Sequence, residues 1–165
     1  MGGQAQPRRL VHCLETVMTT TQFDQSHLEV LSPPECLRLL RSVPLGRLVY
    51  TLGGLPAIRL VNFLLDDDTI VLNTGPGQKL RAAERGDVVA FEADEVDLDR
   101  QLGWTVTAIG HLSVVSADEA EALRRSLPLH SWLPMDDPQL IRLGIESVHG
   151  RRLLPWARRP HTGVS

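Results

Sequence analysis

The sequence predicts a mainly β, α+β domain: six antiparallel strands closed into a small barrel, with short helices flanking it. Three observations carry this. Six segments suit strands, and they are joined mostly by tight turns, which favours antiparallel pairing. There is no regular strand–helix–strand alternation, and no G-x-G-x-x-G follows a strand, which argues against a doubly wound nucleotide fold. Gly110 interrupts the long segment GWTVTAIGHLSVV, where a glycine marks a bulge or a bend of the kind barrels use.

The elements follow in order. In SPPECLRLLRS, Ser32 and Glu35 have the spacing of a capping box, and Pro33 suits the first helical position. Cys36, Leu37, Leu39 and Leu40 give that helix its apolar side. GRLVYTL (46–52) reads as a strand, Gly53-Gly54 as a hairpin turn, and AIRLVNFLL (57–65) as the second strand. Asp66 to Asp68 turn the chain into a third strand, TIVLNT (69–74). Three acids at a hairpin tip invite a calcium reading, but the loop lacks the glycine and distal glutamate of a calcium loop, so a solvated turn is expected.

A short helix is expected over 79–85, ended by Gly86. VVAFEA (88–93) reads as the fourth strand. The acidic run Glu92, Asp94, Glu95, Asp97 and Asp99 reads most simply as a solvated connection. The fifth strand spans 103–115. Ser116 and Glu119 form a second capping box, opening a helix to about Leu127. A Pro-rich loop and a last strand over 139–149 complete the order, followed by GRRL and a basic tail.

Bulk properties exclude several functions. The chain has 165 residues, which suits one domain with a real core. A net charge of −3 gives no basic field for nucleic acid, and 4% aromatic residues is low for reading bases by stacking. No run of 18 apolar residues is present to span a membrane. Cys13 and Cys36 match no metal or redox spacing and read as free thiols in a reducing cytoplasm. The six histidines are scattered and form no ligand pair, so no metal site is expected. Arg8-Arg9 before LVHCLETVM is reminiscent of an export signal. Glu15 breaks that apolar stretch, and residues 1–27 are expected to be a disordered tail.

One loop, NTGPGQKL at 73–80, raises a chemical question. It lacks the Gly-Lys-Ser/Thr ending of the nucleotide loop and, taken alone, reads as a turn.

The segments GRLVY (46–50), PAIRLVNFLLDDDTIVLNTGPGQKL (56–80), VVAFEADEVD (88–97), GWTVTAIGHL (103–112), LPLHSW (127–132) and ESVHGRRL (146–153) resemble, in order and spacing, the pyridoxamine-phosphate-oxidase-like, FMN-binding split-barrel superfamily, and most of all its short bacterial members. The resemblance covers about residues 28–153 and leaves 154–165 as a basic C-terminal tail. It implies a six-stranded antiparallel split barrel that forms a homodimer with two FMN molecules at the interface. Arg59, Leu60, Val61 and Asn62 match the strand lining the flavin. Thr74, Gln78, Lys79 and Leu80 match the phosphate-binding turn. Trp104 matches an aromatic residue near the dimer interface, and Arg151 lies in the closing G-R-R motif. Two positions depart from the pattern: Leu60 stands where many close relatives have proline, and Gln78 where the true oxidases carry a basic residue. The oxidases' C-terminal substrate-binding segment has no clear counterpart. These departures weigh against vitamin B6 oxidation more than against flavin binding.

With that likeness, the loop reads as a phosphate cradle. Glycine-rich turns aim N–H groups at one point, Thr74 adds a hydroxyl, Lys79 an ammonium, the helix start its positive end, and Arg59 a bidentate fork. These parts converge only if the second and third strands pair through the Asp66–Asp68 turn. Individually, Arg59 and Lys79 read equally as surface charges, Trp104 as interface packing, and Arg151 as the start of the basic tail. The function implied is FMN-dependent hydride transfer between the flavin and a small substrate or nicotinamide donor, with no catalytic side chain. The alternative is a non-catalytic flavin, deazaflavin or haem module, for which His130 and His149 are the ligand candidates.

Overall fold

The structure is a computed structural model and describes residues 28–126, 132 and 137–155. Expectations for residues 1–27, for most of LPLHSW including His130, and for 156–165 lie outside the described residues. The elements run β1 (Glu29–Leu31), α1 (Pro33–Leu40), β2 (Leu45–Leu52), β3 (Leu55–Asp66), β4 (Thr69–Thr74), α2 (Gln78–Arg85), β5 (Val88–Asp97), β6 (Leu102–Val114), α3 (Ala117–Ser126) and β7 (Gln139–Leu153).

Every pairing is antiparallel. The order β7-β4-β3-β2-β5-β6 is closed by β6 pairing with β7, so six strands form a ring, and the short β1 adds a seventh strand along the far end of β7. This is the split barrel that the sequence predicts, with one extra strand too short for periodicity to reveal. Alternate residues fill the interior. Phe63 and Phe91 meet edge to face at a centroid distance of 4.7 Å near its middle. Helix α1 adds Cys36, Leu39 and Leu40 to this core, and α2 adds Leu80, Ala82 and Ala83. A second small cluster packs α3 through Ala120 against Val71, Val115 and Leu140.

Turn chemistry behaves as expected. Gly53 and Gly54 take φ of 58° and 81° in a two-residue hairpin, and Asp67 takes 51° in the acidic one. Gly86 ends α2 in the left-handed conformation. The β6–β7 register slips between Ile109 and Gly110, as the glycine suggested.

Three expectations are corrected. The acidic run after residue 91 is not a connection, because β5 continues to Asp97. Arg47 on β2 binds Glu92 and Asp94, and Glu95 accepts the Trp104 indole N–H at 3.2 Å, so these carboxylates are compatible with a strand. β7 likewise runs on through GRRL, where Arg152 bridges Glu29 at 3.0 Å and Glu35, pinning β1 and α1 to the barrel. The first capping box does not form. Ser32 makes no side-chain cap, and Glu35 turns to Arg152 and Arg38; Arg152 holds its carboxyl below the usual range. Glu119 of the second box pairs with Arg142 of β7. Long-range arginines compete successfully with local backbone amides here because a charged partner makes the stronger hydrogen bond.

At the bulge, a Cβ on Gly110 would be driven into the Gly144 carbonyl oxygen, a backbone atom that cannot swing aside. Gly110→Ala is expected to destabilise the fold by about 2–4 kcal/mol, read as a lowered denaturation midpoint. An unchanged midpoint would show that the two strands separate there at little cost.

Candidate functional site

The site is built on the split in the barrel. β3 pairs with β2 from Leu55 to Asn62, but with β4 only from Phe63 to Asp66. Its first eight residues therefore have one edge that no strand covers. The Phe63 N–H donates to the Pro44 carbonyl at 3.2 Å, which fixes the alternation: odd-numbered residues of β3 bond toward β2, and Pro56, Ile58, Leu60 and Asn62 turn their main chain to the open edge. Pro56, with no N–H to leave unpaired, suits that edge. The Ile58 carbonyl accepts the Arg59 Nη1 at 2.8 Å, and the N–H groups of Leu60 and Asn62 face the gap.

Facing the open edge, β4 stays with β7 as far as the Thr74–Gln139 pair and then turns through Gly75-Pro76-Gly77 into α2. Gly77, at φ 152°, is the N-cap; it has no side chain with which to cap. No acidic residue stands in the first turn. The first-turn amides of α2 thus lack intrahelical acceptors, and the positive end of the helix is left uncompensated. Thr74 is the one buried polar side chain among the described residues, and its hydroxyl donates to the Gly75 carbonyl at 3.1 Å, bracing the turn.

The charges decide what this corner can hold. Lys79 is half-buried, and its ammonium is pushed below the ordinary lysine value first by burial and then by the charge of Arg59. The open edge and the helix start are thus close enough for two cations to repel each other. Neither has a carboxylate partner among the described residues, whereas Arg47, Arg85, Arg142 and Arg152 each have one. An uncapped helix start with a half-buried ammonium in its first turn carries the kind of charge that an anion complements.

The other expected residues are placed as follows. Gln78 is exposed at the helix start. Leu80 points into the core and offers the split only its main chain, whereas Val61 points into the core with its main chain bonded toward β2, so this expected residue offers the split nothing. Leu60 is 66% exposed on the outer face. The Asn62 carboxamide is engaged: its Oδ1 accepts the Trp132 backbone N–H at 3.0 Å, and its Nδ2 lies 3.5 Å from the Pro44 carbonyl. Trp104 and Arg151 stand apart from the split. They line a cavity of 520 Å³ with Arg47, Glu92, Asp94 and Thr105, at the end of β6 away from α2. Thr74, Gln78 and Lys79 follow one another through the turn into α2, the Arg59 charge acts on Lys79, and Trp104 and Arg151 lie elsewhere. The likeness had already named Leu60; what sequence reasoning missed is that its amide faces the open edge, for which Pro56 was an available signal, and the Asn62–Trp132 bond, for which there was none. His149 shares a 2.8 Å hydrogen bond with Ser147 on the outer face. No group of three or more metal-ligating side chains occurs among the described residues, and none of their helices is long and apolar enough to cross a membrane.

Comparison with known proteins agrees with this fold. Residues 32–152 match the family described as pyridoxamine 5'-phosphate oxidase. The chain is 39% identical over 143 residues to the uncharacterised protein Rv0080 of Mycobacterium tuberculosis (strain ATCC 25618 / H37Rv), spanning 82% of this chain and 93% of that one. It is similar to the structure of the FAD binding protein from Mycobacterium smegmatis, with 33% identity, a TM-score of 0.63, and coverage of 75% of this chain and 97% of the other. It is also similar to DIP1874 of Corynebacterium diphtheriae, a conserved protein of unknown function, with 28% identity, a TM-score of 0.62, and coverage of 77% and 98%. The fold is a flavin-binding one, and a relative with a third of its residues identical binds FAD.

The depressed Lys79 carries a sign. The folded, ligand-free protein binds that proton less tightly than the unfolded chain, so stability rises with pH through the depressed value toward 10.5. Lys79→Met, which keeps the stem and removes the charge, is expected to be more stable than the parent at pH 7 by a few tenths of a kcal/mol, about 1–3 °C in Tm, with the gap closing as pH rises. A lower Tm for Lys79→Met would show that the two cations are not in conflict.

Proposed function

We infer from membership of the pyridoxamine 5'-phosphate oxidase family, to which this chain belongs, and from the cation pair at the split, that the protein is an FMN-dependent oxidoreductase working as a homodimer. The single observation that carries the reading is the Lys79–Arg59 pair beside the uncapped start of α2. A terminal phosphate monoester carries close to two charges, enough to neutralise both cations while accepting the free amides of the helix start.

The rest of the flavin would lie along the open edge of β3, where the N–H groups of Leu60 and Asn62 are available to its polar atoms. When bound, the flavin supplies the hydride chemistry, exchanged at N5 with a small substrate or a nicotinamide donor. The chain contributes an oriented ring and an anchored tail, and no side chain is assigned as catalytic.

A dimer is supported by the outer face. The register sets Ile58, Val49, Ala90 and Ile109 side by side across four strands, with Ile58 58% exposed and Leu60 66% exposed beside them. A contiguous apolar row on a sheet face favours self-association, and a two-fold axis is the usual way to cover it. Such an axis would also explain why Trp104 and Arg151 stand away from the split: the partner's Trp104 and the partner's Arg151 would complete the site from the other side.

The test is binding and colour. FMN is expected to bind more tightly than riboflavin. Lys79→Ala should lose about 1.5–3 kcal/mol of FMN affinity and leave riboflavin affinity unchanged. Equal affinities for FMN and riboflavin would remove the phosphate from the reading; tighter binding of FAD than FMN would assign the dinucleotide instead. The FMN complex should bleach near about 450 nm with a reduced nicotinamide, and binding without turnover by any donor would make the protein a flavin module. Ile58→Lys with Leu60→Asp should give a folded monomer with weakened FMN binding; a double variant still dimeric would place the interface elsewhere.

A further inference from the structure

The described outer surface carries one exposed aromatic side chain, and it is tethered to the strand that bounds the split. Trp132 is 65% exposed, and its backbone N–H is held by the Oδ1 of Asn62 at 3.0 Å. Asn62 is the last residue of the uncovered edge, immediately before Phe63, where β4 begins to pair. Its carboxamide is braced from the other side by the Pro44 carbonyl at 3.5 Å. The Trp132 backbone is thus fixed where the split closes, at the opposite end of the open edge from Pro56. The connection that bears Trp132 leads into β7 at Gln139, which pairs with Thr74 at the start of the cradle turn.

We propose that Asn62 is a positioning residue that holds Trp132 so that its indole covers the flavin ring. The proposal rests on the reading of the split as a flavin site and adds to it the residue that shields the ring. Two features point this way. An indole left this exposed gains by meeting a flat apolar partner, and an isoalloxazine is such a partner. The tether is a side chain–backbone bond, so it holds the main chain at residue 132 without engaging the indole. Aspartate at position 62 would keep the acceptor for the Trp132 N–H; leucine would remove it.

Hydroxyl-radical footprinting of the full chain, read at Trp132 by mass spectrometry, tests this. Saturating FMN should slow oxidation of Trp132 by roughly twofold, the effect of covering one of the two faces of the indole. Ribitol 5-phosphate, which offers the tail without the ring, should give no protection. With each variant compared at its own saturating FMN concentration, Asn62→Leu should lose the protection at Trp132 and Asn62→Asp should keep it. Equal oxidation of Trp132 with and without bound FMN overturns the proposal and leaves the phosphate site standing. Protection already present without FMN, and growing with protein concentration, also overturns it by assigning the indole to the partner subunit. Failure of the parent protein to take up FMN at all removes the flavin reading itself, and this proposal with it.

Discussion

Strand β3 is twelve residues long, yet β4 covers only its last four on one side. The first eight keep their bonds to β2 and present the other edge to a gap. Exposed strand edges invite uncontrolled pairing, and proteins ordinarily cover, shorten or charge them. Here the edge begins with Pro56, carries Arg59 and ends at the braced carboxamide of Asn62. Facing it is a helix start whose amides have no acceptor of their own. The gap is therefore a place where main-chain donors and positive charge collect without water being excluded, and the ligand chemistry follows from that.

Charge balance elsewhere makes the imbalance informative. The arginines at positions 47, 85, 142 and 152 each find a carboxylate, some of them across distant parts of the chain. Only modest stability comes from such partly exposed pairs. Among the described residues Lys79 and Arg59 have none; Arg41, Arg81 and Arg124 also lack one, but those three are exposed, whereas Lys79 is half-buried. A half-buried lysine on which an arginine charge also acts is unfavourable, and a doubly charged anion would relieve that cost. That trade between resting stability and binding is common at functional sites.

The same competition between local and distant partners explains where local rules failed. Ser32 and Glu35 have the spacing of a capping box, but Arg152, drawn close by the pairing of β1 with β7, is a stronger partner for Glu35 than a backbone amide. The acidic stretch after Phe91 looked too charged for a strand. Arg47 and the Trp104 indole satisfy much of that charge, and the pleat leaves the rest facing solvent.

The sequence by itself determined the barrel: its strands, its Gly-Gly and triple-aspartate turns, the bulge at Gly110 and the end of α2 at Gly86 are all consequences of φ/ψ preference and period-two patterning, which act over a few residues. It also marked Lys79 and Arg59 as candidates, through the likeness of the whole stretch to a known pattern. What it left open was whether those two charges meet, which residues of β3 face the gap, and that Trp104 and Arg151 lie away from it. Each depends on register and closure between segments far apart in the chain, and a one-residue slip in register would turn every such side chain to the other face. Only the tertiary structure decides that, because the pairing energy is shared among many contacts and no short stretch contains it.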